Sequence, residues 1–272
     1  MRAQCVAMCL LFLCGCETLL ATTSYYALPK PHRLTKHLQN IKKDFGSQPK
    51  HFAFLIGANT EVRHRNNLSL AYQVLIEQGY DRQHIFILDS EGGTPAIYPI
   101  SDTLTQESMG MMFNWLSKNL SQIDTILVYV TGHGNQKSLL LNRAEEMSKQ
   151  NFLFYLSSIK IRTGIVIFDQ CYWGAPKIKS PFIFISATSD LRTSHGVSFP
   201  RMFWRAFRRL EDPVISISQA FDFARAHDRG RLFGHQQPEI FFSTIHPARI
   251  DLLGNPILNP RTGIGETLMP GQ

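Results

Sequence analysis

A lone thiol and a lone imidazole, each at the end of an apolar run, are the residues of this sequence best placed to do chemistry. Cys171 closes the run Gly164-Ile165-Val166-Ile167-Phe168-Asp169-Gln170-Cys171, with Gly174 just beyond it. His133 stands between Gly132 and Gly134, at the end of Asp124-Thr125-Ile126-Leu127-Val128-Tyr129-Val130-Thr131. Thiols titrate near about 8.5 as a class, are partly ionised at neutral pH and attack carbonyl carbon well. An imidazole can assist the thiolate or protonate a leaving amine. The tetrahedral intermediate carries an oxyanion, which backbone N–H groups can hold. Gly134 offers an amide unscreened by a side chain, and Gly132 lets the turn take a positive φ. Gly174 would permit the turn after Cys171. The chemistry that fits is nucleophilic attack on a carbonyl. The plainer alternative is a core cysteine and a loop histidine beside turn glycines.

These two residues need a scaffold that brings two strand ends together. Phe52-Ala53-Phe54-Leu55-Ile56-Gly57 reads as a buried parallel strand. A helix follows over roughly Asn67–Gln78, with Leu68, Ala71, Tyr72 and Leu75 on one face and Gly79 at C′. Ile85–Leu88 is a second strand. Thr103 and Gln106 are expected to form a capping box for a helix with Met109, Met112, Phe113, Leu116 and Leu120 on its core face. Strands are expected at Ile126–Val130, Ser138–Leu141, Ile165–Phe168 and Phe182–Ile185, and a helix over Arg143 to about Ile159. Ser198 reads as an N-cap with Pro200 in the first turn, and Phe199, Met202, Phe203, Ala206, Phe207 and Leu210 inward. A last helix at about Ser218–His227, ending near Gly230, precedes a closing strand, Ile240–Phe242. Strands alternating with helices argue for a mostly parallel sheet covered on both faces. In such a sheet the functional edge is the carboxyl end of the strands, where both His133 and Cys171 fall. The interval between them fits a loop, a crossover helix and a return strand, so the two strands can be neighbours.

The chain has 272 residues, 44% hydrophobic and 18% charged, enough for one sizeable α/β core. Its net charge of +7 is spread along the sequence and reads as a solvated basic surface. No nucleic-acid motif stands out. Of five cysteines, Cys5, Cys9, Cys14 and Cys16 lie at the start. Arg2 followed by the apolar stretch Val6–Leu13 reads as a secretory leader over residues 1–15. Leu13-Cys14-Gly15-Cys16 resembles the lipobox of bacterial lipoprotein signals, which implies cleavage before Cys16 and a lipid on its thiol. An ordinary signal peptide is the alternative. Glu17 differs from the aspartate of inner-membrane retention signals, so the resemblance implies the cell envelope, with the outer membrane slightly favoured and the domain facing the periplasm. After cleavage only Cys16 and Cys171 remain, leaving no disulfide within the domain. Residues 16–48 read as a tether with a short helical lead-in around Leu34–Phe45, 49–250 as the globular domain, and 251–272 as an irregular tail.

The two strand ends together resemble the caspase–legumain group of cysteine peptidases, closest to the legumain branch, family C13. Thr131-Gly132-His133-Gly134 and Asp169-Gln170-Cys171-Tyr172-Trp173-Gly174 carry the likeness. Upstream, Leu55-Ile56-Gly57-Ala58-Asn59, Arg63-His64 and Ala71-Tyr72-Gln73 are similar to the legumain start. Ile185-Ser186-Ala187-Thr188 resembles the strand end after the nucleophile. The likeness covers about residues 51–210. It implies the three-layer α/β caspase-like fold and a cysteine endopeptidase acting on a peptide or protein through a thioester. It makes Cys171 the nucleophile, His133 the acid/base, and the amides of Gly134 and Cys171 the oxyanion hole. Arg63 matches a residue lining the pocket for the side chain before the scissile bond, and Asp169 stands where the family has an acid. Two departures touch specificity. Gly132 replaces an acidic residue before the histidine, and the segment Ser189-Asp190-Leu191-Arg192-Thr193-Ser194-His195 is short. An asparagine preference is therefore not carried over, and Asp190 or Asp169 is the candidate for favouring a basic side chain. Two other functions fit the same residues: a transpeptidase or transamidase on the same site, and a non-catalytic binding module. No histidine has the spacing of a zinc site such as HExxH, so neither metal nor cofactor is expected.

Overall fold

Apolar runs buried along nearly their whole length cannot sit at a surface, and here they form the interior of one parallel sheet. The structure is a computed structural model that describes residues 32–41, 48–58, 61–90, 98–193, 198–208, 215–229, 236–242 and 250–255. The main sheet has seven strands: β1 (His51–Ala58), β2 (Ile85–Asp89), β3 (Asp102–Thr103), β4 (Thr125–Gly132), β7 (Thr163–Asp169), β8 (Phe182–Ser186) and β9 (Glu239–Phe241). Their spatial order is β3-β2-β1-β4-β7-β8-β9. All pairs are parallel except β8 with β9. The chain builds outward from β1 to β3, returns to the other side of β1 with β4, and builds outward again. That return makes a switch point between β1 and β4, where a crevice opens at the carboxyl ends of the strands. A small antiparallel pair, β5 (Ser138–Leu140) and β6 (Glu146–Ser148), follows β4.

Alternation along each strand divides the core in two. Phe52, Phe54, Ile56, Val128, Val130, Val166 and Phe168 pack with α1 (His32–Asn40), α3 (Gln106–Asn119) and α4 (Lys149–Ser157). Ala53, Leu55, Leu127, Tyr129, Ile165 and Ile167 pack with α2 (Val62–Glu77), α5 (Phe199–Ala206) and α6 (Ile217–Ala226). The result is a three-layer α/β arrangement. The methionine-bearing face of α3 is core: Met109, Met112, Phe113, Leu116 and Leu120 are all buried. Each large side chain so buried contributes about 1.5–3 kcal/mol before conformational entropy is counted.

Several elements depart from the sequence reading. Residues 143–148 are not helical. Asn142 Oδ1 accepts from the amides of Ala144 and Glu145, closing a turn that lets β6 pair back on β5, and Ser148 then caps α4 through Asn151 N. The capping box of α3 joins Thr105 and Ser108 rather than Thr103 and Gln106, because Thr103 is held in β3 opposite Asp89. Ser198 precedes α5 as expected but does not cap it; its hydroxyl donates to Asp228. The core also runs past residue 250. Leu252 is buried and its carbonyl accepts from Tyr80 Oη at 2.7 Å. Gly79 takes φ 93 behind the C-cap of α2, as its position implied. Leu210 and Gly230 lie outside the described residues.

Candidate active site

β4 and β7 are adjacent, parallel and in register, with Thr131 opposite Asp169. Two residues beyond those partners stand His133 and Cys171, so the register alone sets the two loops face to face. They touch: a Cβ placed on Gly134 would lie 3.2 Å from the carbonyl oxygen of Cys171 and 3.2 Å from the Trp173 ring. Glycine is what allows that approach. Gln170 donates its amide to His133 O at 3.1 Å, and Trp173 Nε1 donates to Asn135 O at 3.1 Å, tying the loops from both sides. The bridge from Gly134 to Leu139 is carried by Leu140 N to His133 O and Asn135 N to Ser138 O, so the Gly134 amide donates to neither.

Backbone geometry turns each loop. Gly132 has φ 150, and a Cβ there would collide with Ala58 backbone at 2.7 Å. After the cysteine the left-handed residue is Tyr172, φ 58, not Gly174. Gly174 serves close approach instead: a Cβ would meet Asp190 N and Glu239 Oε2, both at 2.8 Å. Tyr172 N donates to Arg192 O at 2.9 Å, which joins the Cys171 loop to the segment after β8. Cys171 is half-buried and is not in a disulfide.

His133 Nε2 lies 2.9 Å from Glu61 Oε1, and Glu61 Oε2 lies 2.6 Å from Arg63 Nε. Burial works against the charge on Glu61. The hydrogen bond from His133 and the guanidinium of Arg63 outweigh it and hold that carboxyl below its ordinary range. Arg63 is therefore linked to His133 through a carboxylate that both contact. Behind them runs a buried chain of polar groups. Thr131 Oγ1 donates to Asp169 Oδ2 at 2.7 Å, so it accepts from His64 Nδ1 at 2.7 Å. Asn67 Nδ2 and Tyr129 Oη also donate to Asp169 Oδ2, at 3.0 and 3.2 Å. Burial lowers His64 to about 4, helped by the nearby charges of Arg63 and His133, so its ring is neutral at pH 7. Burial pushes Asp169 up to about 6, against the pull of its hydrogen bonds and of Arg63. The His64 ring meets that of His133 edge-on at 5.8 Å.

This placement revises two specificity candidates. Asp169 is 1% exposed and its bonded oxygen is turned into the protein, so it supports β4 and α2 rather than meeting a substrate side chain. Asp190 is exposed, but Oδ1 is engaged by Lys149 Nζ at 2.5 Å and by Gly174 N at 3.0 Å. A basic substrate side chain would have to compete with Lys149. Cys16 and Asn59 lie outside the described residues.

Sequence reasoning missed Glu61, Thr131, Gln170 and the structural part of Trp173. Glu61 becomes visible only once β1 and β4 are known to be neighbours, since its loop and that of His133 then flank the switch point. A cavity of about 970 Å³ lies elsewhere, at the amino ends of β1 and β4, lined by Phe52, Trp115, Lys50 and Asp124 among others. Its lining carries neither cysteine nor histidine, so the reactive pair and not cavity size locates the candidate site. No described helix is long and apolar enough to cross a membrane. No family model matches this chain, and no curated protein matches its sequence.

Proposed function

We propose that the protein is a cysteine endopeptidase of the caspase–legumain kind, with the caspase-like version of the three-layer fold. The observation that carries the reading is the contact between the two loops: the Gly134 backbone rests against Cys171, one residue after His133. In this reading the Cys171 sulfur attacks the scissile carbonyl carbon, and the amides of Gly134 and Cys171 hold the oxyanion. His133 delivers a proton to the leaving amine as the carbon–nitrogen bond breaks, leaving a thioester on Cys171. Water, with His133 now as base, opens the thioester and frees the acid.

Cys171→Ala is expected to reduce peptide-library cleavage by roughly 10³-fold or more and to abolish labelling by an acyloxymethyl ketone probe, with the fold intact by circular dichroism. Undiminished cleavage in that variant would end the reading.

The leader supports a second proposal: removal of residues 1–15 and lipidation of Cys16 place the domain at the bacterial envelope, outer membrane favoured. Cys16→Ser should move the protein from the membrane to the soluble fraction. Unchanged membrane association would count against a lipid at that position.

A further inference from the structure

The geometry points to Glu61 as the positioning residue that sets the proton of His133, completing a Glu–His–Cys arrangement. This rests on the peptidase reading above. Glu61 is the residue immediately before α2, with extended backbone (φ −63, ψ 137). Short polar side chains such as Asp or Ser cap a helix from that position by accepting from its first amides, whereas the longer Glu can reach elsewhere. Here it makes no such bond. The Glu61 carbonyl receives His64 N and Arg65 N instead, and the carboxylate is turned across the switch point toward the tip of β4. The topology makes this possible, because the loop after β1 and the loop after β4 face each other.

A carboxylate can only accept, so the 2.9 Å contact requires the proton of neutral His133 to sit on Nε2. Nδ1 is then the lone-pair nitrogen, the atom able to take the Cys171 proton. When it does, the positive ring stands against the carboxylate. The second oxygen of the same anion forms an ion pair with Arg63 Nε at 2.6 Å. Nearby stands His64, neutral at pH 7, its ring edge-on to that of His133. It adds no competing positive charge. Both side chains of the pair are nearly half exposed, so solvent weakens the interaction and the effect is smaller than for a buried triad acid.

The test combines steady-state kinetics with ¹⁵N NMR of the His133 ring. Glu61→Ala is expected to lower kcat by about 10- to 100-fold with KM changed far less, and Glu61→Gln by less, since its amide oxygen still accepts. In the unsubstituted protein the ring nitrogens should report the proton on Nε2. In Glu61→Ala they should report a mixture of tautomers. Unchanged kcat in Glu61→Ala, while Cys171→Ala and His133→Ala remain inactive, would overturn the role of Glu61 and leave the dyad standing. A proton found on Nδ1 in the unsubstituted protein would overturn it as well. Turnover surviving in Cys171→Ala would instead overturn the peptidase reading, and this role with it.

Discussion

The two strand tips of the candidate site are held in different ways. The β4 tip, which carries His133, is aimed by side chains. Glu61 takes its Nε2, Gln170 takes its carbonyl, and the His64–Thr131–Asp169 chain fixes the strand end beneath it. The β7 tip, which carries Cys171, is held more by backbone and packing, beside side-chain bonds from Gln170 and Trp173 to the β4 loop. Tyr172 turns the chain at φ 58, Tyr172 N bonds to Arg192 O, and Trp173 is driven into the core. The difference suits the two roles proposed for these residues. A residue that shuttles a proton needs partners whose charge and tautomer matter. A thiol nucleophile needs a fixed position and a base or positive charge beside its sulfur.

Trp173 is where the contrast breaks most easily. It is 0% exposed, packs against Phe152 and Phe168 at ring-centroid distances of 5.7 and 4.9 Å, and donates Nε1 to Asn135 O. Trp173→Ala is expected to cost about 3–5 kcal/mol by cavity formation alone, and more through the carbonyl left unpaired. Thermal unfolding should fall by roughly 10 °C for a chain of this size. Trp173→Phe keeps most of the packing and loses the N–H, so it should cost only about 1–2 kcal/mol. A Trp173→Ala variant as stable as the parent would show that packing does not hold the nucleophile loop.

How much of this could be seen in the sequence follows from what each feature depends on. The strands at 126–130 and 165–168 were legible because a strand covered on both faces must be apolar throughout. The facing of His133 and Cys171 followed from two such strands and one crossover. The boundaries at 142–148 were not legible, because apolar spacing there fits a helix, and only the turn made by Asn142 diverts the chain into β6. The role of Glu61 was hidden for a different reason. It depends on β1 lying beside β4, a fact of strand order that no local pattern encodes. Asp169 was singled out as an acid near the cysteine, yet alternation along β7 alone could not say whether α2 would cover it. Asn67, Tyr129 and Thr131 do, and that makes it support rather than contact.

The polar chain beneath the tips gives a finer test, because it joins His64 of α2 through Thr131 at the end of β4 to Asp169 at the end of β7, and two of its members titrate. His64 falls from an ordinary 6.5 to about 4 on folding. Between those values the unfolded chain binds more protons, so this group makes stability rise with pH and be lost as pH falls toward 4. Asp169 moves the other way, from 3.8 to about 6. Between those values the folded protein binds more protons, so this group makes stability fall as pH rises. Each slope is at most about 1.4 kcal/mol per pH unit, and across the shared window from about 4 to 6 they oppose. The isosteric pair of substitutions uncovers them. Relative to the parent at each pH, Asp169→Asn should gain stability as pH rises through this window, and His64→Gln should lose it. Urea denaturation at half-unit steps reads both differences, and the double variant reads the coupling between the two side chains, which approach to 4.0 Å. Differences of the same sign in the two variants would mean that His64 and Asp169 do not sit on opposite sides of the balance. The joined strand ends would then be held by shape rather than by charge.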